Sequence, residues 1–331
     1  MTAPVPGDLP HAIARVLAET AGGDLAEAAK ALSERYRAGS GPYVATMKDA
    51  LAYVATRLPA TYAATRSAGE HVAELWPAFA PGSQLDLGAG PGAAAWAAAA
   101  LWPSIRAVML ADRDEHMLAV GERLAAGAFA GWAWQQIDVT SELAEAELVT
   151  ACYVLGELDP AAAREVALKA WQAARRCLLV VEPGTPAGFR LIRELRRHLL
   201  EEGASLLAPC PDEGACPITE GDWCHFSARV GRSALHRSLK GAERSFEDEK
   251  FSYVAFARTD AARAGGRLVR RPLQRRRFVE LSVCADGAIR RAGVGQSQPA
   301  YRAASKLAWG AAVPPEVLEL VRRTAPPADQ S

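Results

Sequence analysis

Residues 85–92 read Leu-Asp-Leu-Gly-Ala-Gly-Pro-Gly: an apolar start, a carboxylate at Asp86, and glycines at alternate positions, Gly88, Gly90 and Gly92. Without a Cβ, glycine lets the backbone turn sharply and approach a ligand closely. Asp112 closes the next apolar run, 20 residues after Gly92, where a carboxylate can accept hydrogen bonds from ribose hydroxyls. Asp138 follows a third run in Gln-Gln-Ile-Asp-Val-Thr, a place for an acid beside an adenine amine. A glycine loop alone fits any tight strand-to-helix turn. Here the loop and both acids fall in order on successive runs, which predicts a site for a cofactor carrying adenine and ribose.

Cysteines form a second constellation. Cys210, Cys216 and Cys224 are separated by five and seven residues through a loop rich in Pro and Gly, and Cys284 follows 60 residues later. Thiols gathered in one loop of a reducing compartment need a metal to hold them together. A tetrahedral zinc site or a [4Fe–4S] cluster would each be satisfied by four thiolates. The spacing leaves both open, and His225 and His236 compete with Cys284 for the fourth place. Cys152 stands where a nucleophilic thiol could act but lacks a neighbouring proline, and both it and Cys177 sit inside apolar runs, where buried cysteine is common. The segment Ala151–Leu158 lacks the Asn/Asp-Pro-Pro-aromatic pattern that orients an amine nucleophile; Glu157 fits a general base or an ordinary helix-starting carboxylate. No catalytic residue is assigned.

Both constellations need elements to position them. Residues 9–75 carry apolar positions at helical spacing in Leu9–Leu17, Leu25–Arg37, Tyr43–Arg57 and Tyr62–Leu75, and Pro81-Gly82 marks a boundary. Beyond it, strand-like runs at Gln84–Gly88, Ala107–Asp112, Trp132–Ile137, Leu148–Tyr153 and Cys177–Glu182 alternate with helical stretches, which predicts a parallel sheet built from βαβ crossovers. Strands resume at Phe251–Ala257, Arg267–Arg271, Phe278–Cys284 and Ala288–Ala292; Asp286-Gly287 between the last two signals a hairpin. Pro314–Arg323 reads as a short terminal helix before a Pro-rich tail. The expected organisation is a helical region (1–78), a Rossmann-like core (79–205), a cysteine-rich loop region (206–245), remaining strands with a basic β module (246–312), and a terminal helix and tail (313–331).

At 331 residues, with half of them hydrophobic and 23 % charged, the chain can bury a sizeable core and is not disordered throughout. Its formal net charge is zero, which argues against a uniformly basic nucleic-acid protein, but the charges are unevenly placed: residues 1–150 carry a net −7 and residues 224–295 a net +9. Arg229, Arg232, Arg237, Lys240, Arg270, Arg271, Arg275, Arg276 and Arg277 lie in the basic stretch. Arginine predominates, and its planar fork suits bidentate phosphate contact and base stacking. These residues are the expected RNA-binding set; neither DNA nor a membrane is expected as a partner. No stretch approaches the ~18–20 apolar residues of a membrane span. The start, Met-Thr-Ala-Pro-Val-Pro-Gly-Asp-Leu-Pro, has turn formers and an acid where a secretory signal has basic and apolar residues, which predicts a cytoplasmic chain.

The alternate-glycine loop resembles the S-adenosylmethionine loop of Rossmann-like, class I methyltransferases rather than the dinucleotide form, so Asp86, Gly88, Gly90, Gly92, Asp112 and Asp138 are its expected contacts. Longer strings carry a wider resemblance: Glu182–Phe189, Ala208–Pro217, Asp222–Arg232 and Glu247–Arg258 occur in this order downstream of the loop. Over about residues 40–310 the chain resembles the methyltransferase-like small-ribosomal-subunit protein family, mitochondrial ribosome assembly factors and their bacterial relatives. The resemblance implies a methyltransferase core, a [4Fe–4S] cluster on Cys210, Cys216, Cys224 and Cys284, and association with small-subunit ribosomal RNA or a subunit precursor. It departs at Asp212, where relatives often carry His, and at Trp309-Gly310-Ala311, where they carry Trp-Gly-Asp. Two other readings fit the same residues: an inactive ribosome-binding assembly factor, or a methyltransferase for a small molecule or protein.

Overall fold

A computed structural model describes residues 9–19, 25–38, 44–259 and 261–324. The turn-rich start and the Pro-rich tail read above lie outside the described residues. Four helices lead: α1 (Leu9–Ala18), α2 (Leu25–Ala38), α3 (Met47–Thr56) and α4 (Leu58–Leu75). Next come β1 (Ser83–Leu87), α5 (Ala93–Leu101), β2 (Ala107–Asp112), α6 (Glu115–Ala125), β3 (Trp132–Gln136), β4 (Ala146–Cys152), α7 (Pro160–Ala173), β5 (Ala174–Pro183) and α8 (Pro186–Glu201). The five expected strands pair in parallel in the order β3-β2-β1-β4-β5. That order reverses between β1 and β4, and ligands of open α/β sheets bind at such a switch point, beyond the carboxyl ends of the strands.

The large sheet does not end at residue 205. It continues through β6 (Ser205–Ala208), β7 (Phe226–Gly231), the helix α9 (Ala234–Lys240) that follows it, and β8 (Phe246–Ala257). Strand β8 runs antiparallel to β5 along one edge, with Phe251 opposite Pro183 and Ala257 opposite Cys177. Its other edge takes β6 at Ala255–Ala257 and β7 at Phe246–Phe251. The cysteine loop, residues 209–225, thus leaves and rejoins one strand edge at points four residues apart, or ~13 Å. Sequence patterning overlooked β6, β7 and α9 because they are short and sit among Pro, Gly and charged residues.

Both faces of the large sheet are covered, as a parallel sheet requires. Trp171, Leu195 and Leu199 of α7 and α8 pack on Leu178, Val254 and Phe256 on one side. On the other, Ala64, Ala68 and Ala98 of α4 and α5 pack on Leu179, Val181 and Tyr253. The alanine run of α5 is apolar all round because the helix is buried all round, and a Cβ on Gly69 of α4 would lie 2.5 Å from Leu101. The N-terminal helices pack through Val16, Leu32 and Val54 against Met117 and Val120 of α6. Among the described residues no helix is long and apolar enough to cross a membrane.

A second sheet comprises β9 (Arg267–Leu268), β10 (Leu273–Gln274), β11 (Phe278–Ala285) and β12 (Ala288–Gly295). The hairpin forms as its sequence signal requires: Ala285 pairs with Ala288, and Asp286 and Gly287 both have positive φ, 49° and 71°. Its inner face, Val279, Leu281 and Val283, is covered by α10 (Tyr301–Ala304) and α11 (Pro315–Arg323) through Ala304, Val317 and Val321. Phe256 is fully buried between Leu178 and Leu206 in the large sheet, whereas Phe278 is 39 % exposed. Phe256→Ala should therefore cost ~3–5 kcal/mol by denaturant unfolding, and Phe278→Ala only about 0.5 kcal/mol or less. Equal losses would contradict this account of the core.

Candidate functional site

A cleft of about 900 Å³ opens over the β1/β4 switch point. Its floor is the glycine loop, with Gly88, Gly90 and Gly92 all left-handed, at φ 60°, 52° and 89°. Gly88 and Gly90 line the cleft; Gly92 does not, but begins α5 against Leu110 and Trp134. A Cβ on Gly88 would come within 2.3 Å of Val154, so the first glycine is required by close approach as well as by φ. The Asp112 carboxylate, at the end of β2, accepts the Gly90 N–H at 2.7 Å and the Asp114 N–H at 2.9 Å, fixing the loop to the neighbouring strand. Asp138 also lines the cleft, its exposed carboxylate accepting the Thr140 N–H and hydroxyl.

The cleft is lined by buried carboxyls. Asp86 accepts the Thr150 hydroxyl at 2.7 Å, and Thr150 in turn accepts from Gln84 at 2.9 Å, a polar chain inside the sheet. Its second oxygen faces α5 with no partner in hydrogen-bond geometry, and burial pushes the carboxyl up to about 7. Glu182, at the end of β5, accepts the Leu155 and Gly156 N–H groups, and burial pushes it up to about 8. Glu157 is pushed up to about 7, also by burial, with Arg113 opposing the shift from 3.7 Å. Burial raises Asp112 as well. Tyr153 follows β4 with φ 60°, a strained conformation that costs ~1–3 kcal/mol in a non-glycine residue. Its N–H bonds to Val181 O at 2.7 Å and its hydroxyl to Glu249 at 3.2 Å. Glu182, Glu249 and Tyr153 were not singled out as site residues in the sequence; Glu182 at a strand end was the signal available. Cys152 lines the cleft too, but burial and Asp86 raise its thiol well above the usual range, which leaves it a poor nucleophile.

A second cavity, about 50 Å³, lies between the two sheets and is lined by Cys210, Cys216, Cys224 and Cys284. His225 and His236 do not line it: His225 stacks on Trp223, and His236 is buried near Glu247. Burial and the neighbouring cysteines raise the Cys224 and Cys284 thiols strongly; burial pushes Cys210 to about 11 against the opposing Arg196. Arg193, Arg196 and Arg267 share the cavity wall. Arg196 donates to the carbonyls of Asp212 and Gly214, both at 2.8 Å, and Arg267 to those of Pro209 and Gly310. No group of three or more His, Cys, Asp or Glu among the described residues has the geometry to hold a metal ion.

The expected basic set divides in two. Arg229 makes a bidentate pair with Asp248, Arg232 and Lys240 share Glu247, and Arg270 pairs with Asp222. Arg237 donates to Arg232 O. These charges are largely spent inside the protein. Arg271, Arg275, Arg276 and Arg277 are exposed, with Arg275 3.6 Å from Glu280. The +9 of residues 224–295 therefore concentrates, as accessible charge, on the second sheet.

Comparison with solved structures finds magnesium protoporphyrin IX methyltransferase of Synechocystis, 13 % identical, TM-score 0.39, covering 68 % of this chain and 90 % of that one. A ribosomal protein L11 methylase of Lactobacillus delbrueckii is 15 % identical, TM-score 0.33, covering 56 % and 76 %. Among curated sequences, human "Ribosome assembly protein METTL17, mitochondrial" is 30 % identical across 80 % of this chain. "Rsm22-cox11 tandem protein 2, mitochondrial" of Schizosaccharomyces pombe is 29 % identical across 42 % of it. The chain spans 62 % of the human relative's length and 24 % of the yeast relative's. The family described as mitochondrial small ribosomal subunit Rsm22 matches residues 47–314. This match across most of the chain makes the protein a member of the Rsm22 family.

Proposed function

We propose that this protein binds S-adenosylmethionine in the switch-point cleft and associates with small-subunit ribosomal RNA during assembly or modification of the subunit. The observation that carries the cofactor reading is the cleft itself: Gly88, Gly90, Asp112 and Asp138 line one space at the carboxyl ends of β1, β2 and β3. Its volume falls within the ~300–1,000 Å³ of small-molecule sites. Asp112 would meet the ribose and Asp138 the adenine, and the buried carboxyls would face the cationic end of the ligand. Membership of a small-subunit ribosomal family and similarity to a human mitochondrial ribosome assembly protein support the ribosomal partner.

The cofactor reading has a pH signature. Burial favours the protonated form of Asp86 and Glu157, whereas a nearby cation favours the ionised one. Binding of the sulfonium should therefore release protons, and affinity should rise with pH through about 7. Neutral S-adenosylhomocysteine lacks the positive sulfur and should gain less. Titration calorimetry in buffers of differing ionisation heat reads both effects, and Gly88→Ala should abolish the signal. A pH-independent preference between the two ligands would reject the placement of these carboxyls.

We propose further that Cys210, Cys216, Cys224 and Cys284 hold a [4Fe–4S] cluster. The four thiols line one cavity, and at ~10–15 Å³ for one water its 50 Å³ suits a group of several atoms. A cube-shaped cluster is several atoms across, so its thiolates stand further apart than those on a single zinc ion. Four thiolates make the assembly anionic, and Arg193, Arg196 and Arg267 supply the opposite charge. When bound, the cluster supplies a covalent crosslink between the cysteine loop and β11; no electron transfer is assigned to it. Protein purified without oxygen should be brown, with four irons and four labile sulfides per chain. Cys224→Ser should lose both and loosen the second sheet, seen as faster amide exchange there. Stoichiometric zinc without labile sulfide would reverse the assignment.

The RNA reading places the contact on Arg271, Arg275, Arg276 and Arg277. Phosphate contacts release counterions, so log affinity should fall linearly with log salt, by ~0.7–0.9 per contact. Replacing Arg275, Arg276 and Arg277 with Glu should lower affinity for small-subunit RNA and flatten that slope, leaving cofactor binding unchanged. A triple variant that co-sediments with subunit precursors as wild type does would move the interface elsewhere.

A further inference from the structure

The outer face of the second sheet carries a feature that the charged residues alone do not explain. Side chains alternate across a strand. Val279, Leu281 and Val283 of β11 point inward and are fully buried, so Phe278, Glu280 and Ser282 stand on the outer face. Opposite them on β12 are Gly295, Gly293 and Arg291, and opposite Glu280 on β10 is Leu273. Among the described residues three large hydrophobic side chains are exposed: Leu235 at 41 %, Leu273 at 45 % and Phe278 at 39 %. Two of the three thus share this one face. The two glycines leave its floor flat, and the Phe278 ring leans over one of them: a Cβ on Gly293 would lie 3.3 Å from Phe278 Cδ2.

We propose that this face binds an unpaired stretch of RNA, with Phe278 as the platform on which one base stacks and Leu273 packing beside it. The inference rests on the RNA reading above and gives it a substrate class, single strand rather than duplex. Charge complementarity selects the occupant. Arg275, Arg276 and Arg277 immediately precede Phe278, and exposed Arg291 stands further along the same face, opposite Ser282. Glu280, the carboxylate on this face, is drawn to Arg275 at 3.6 Å. Phosphates explain the arginines, but an aromatic ring exposed on a glycine-floored sheet matches the π-face of a base, which a duplex keeps inside its stack. Every base has such a face, so the recognition is for unpairedness rather than for a sequence.

The test is fluorescence anisotropy of the full-length protein with a short single-stranded RNA of mixed sequence and with a blunt-ended RNA duplex of the same length. Phe278→Ala should weaken single-strand binding by about 5- to 150-fold, the span of one lost base stack. It should leave duplex binding and the salt slope unchanged, and Phe278→Trp should restore the single-strand affinity. An unchanged thermal unfolding midpoint in Phe278→Ala shows that the fold is intact. Equal losses on both RNAs, no loss on either, or failure of the Trp variant to restore binding overturns the stacking role while the arginine contact stands. A wild-type protein that binds neither RNA overturns the RNA reading and this subsite together. Self-association by sedimentation that Phe278→Ala abolishes would give the face to a second copy of this chain and likewise overturns the proposal.

Discussion

Strand β8 is the constraint on which both candidate sites depend. One of its edges completes the large sheet against β5; the other carries β6 and β7 in succession. Because those two strands are joined by the cysteine loop, their pairing to one edge fixes the loop's ends. Near its start, Asp248, Glu249 and Lys250 form part of the cleft wall; further on, Ser252 Oγ donates to Cys224 O at 2.8 Å. Trp223, beside Cys224, reaches the opposite wall by donating to Gly184 O at 3.0 Å, and Gly184 N–H bonds back to Lys250 O. The cleft and the cysteine cavity are therefore built on adjacent stretches of one strand, Asp248–Lys250 and Ser252–Val254. Disorder in the cysteine loop would be felt in the cleft through two hydrogen bonds and no mobile linker.

Electrostatics divides the labour differently from a count of charges. Within the cleft, burial raises the Asp86, Glu157 and Glu182 carboxyls, so a nearby cation would favour their ionised forms, while exposed Asp138 is held low by Thr140. Around α9 and β7, arginines and Lys240 are consumed by Glu247 and Asp248, where they hold β7 and β8 together rather than meet a partner. At the cysteine cavity, Arg196 and Arg267 are buried and spend their donors on loop carbonyls. Accessible charge remains in the arginine run immediately before Phe278 of the second sheet.

The two sheets meet at the cysteines rather than across a broad apolar interface. Cys284 stands on β11 opposite Arg267, and Arg267 reaches the loop carbonyl of Pro209. Asp212 of the loop accepts the Gly287 N–H from the hairpin turn at 3.2 Å, and Asp222 pairs with Arg270 beyond β9. Polar tethers of this kind orient a module but contribute less than apolar burial. A covalent group on the four thiols would therefore bear more of the load between the sheets than it would inside a continuous core.

Much of this was legible in the residues. Five β-type runs between helical stretches specified the parallel core, because apolar periodicity is local and a fully buried strand needs a continuous apolar run. The loop of Gly88, Gly90 and Gly92 and the acids Asp112 and Asp138 announced themselves by order along the chain, and Asp286-Gly287 dictated its own turn. What the sequence could not decide was anything that depends on which distant groups meet. β6 and β7 exist because β8 offers them an edge, not because their own composition is strongly extended. Gly92 left the ligand for the packing of α5, and Glu182 and Glu249 entered the cleft, because strand order brings their ends there. Arg229 and Arg276 are the same residue type in the same basic stretch; only the folded chain sets one against Asp248 and leaves the other in solvent. A charge's partner is a matter of three-dimensional distance, and spacing along the sequence does not contain it.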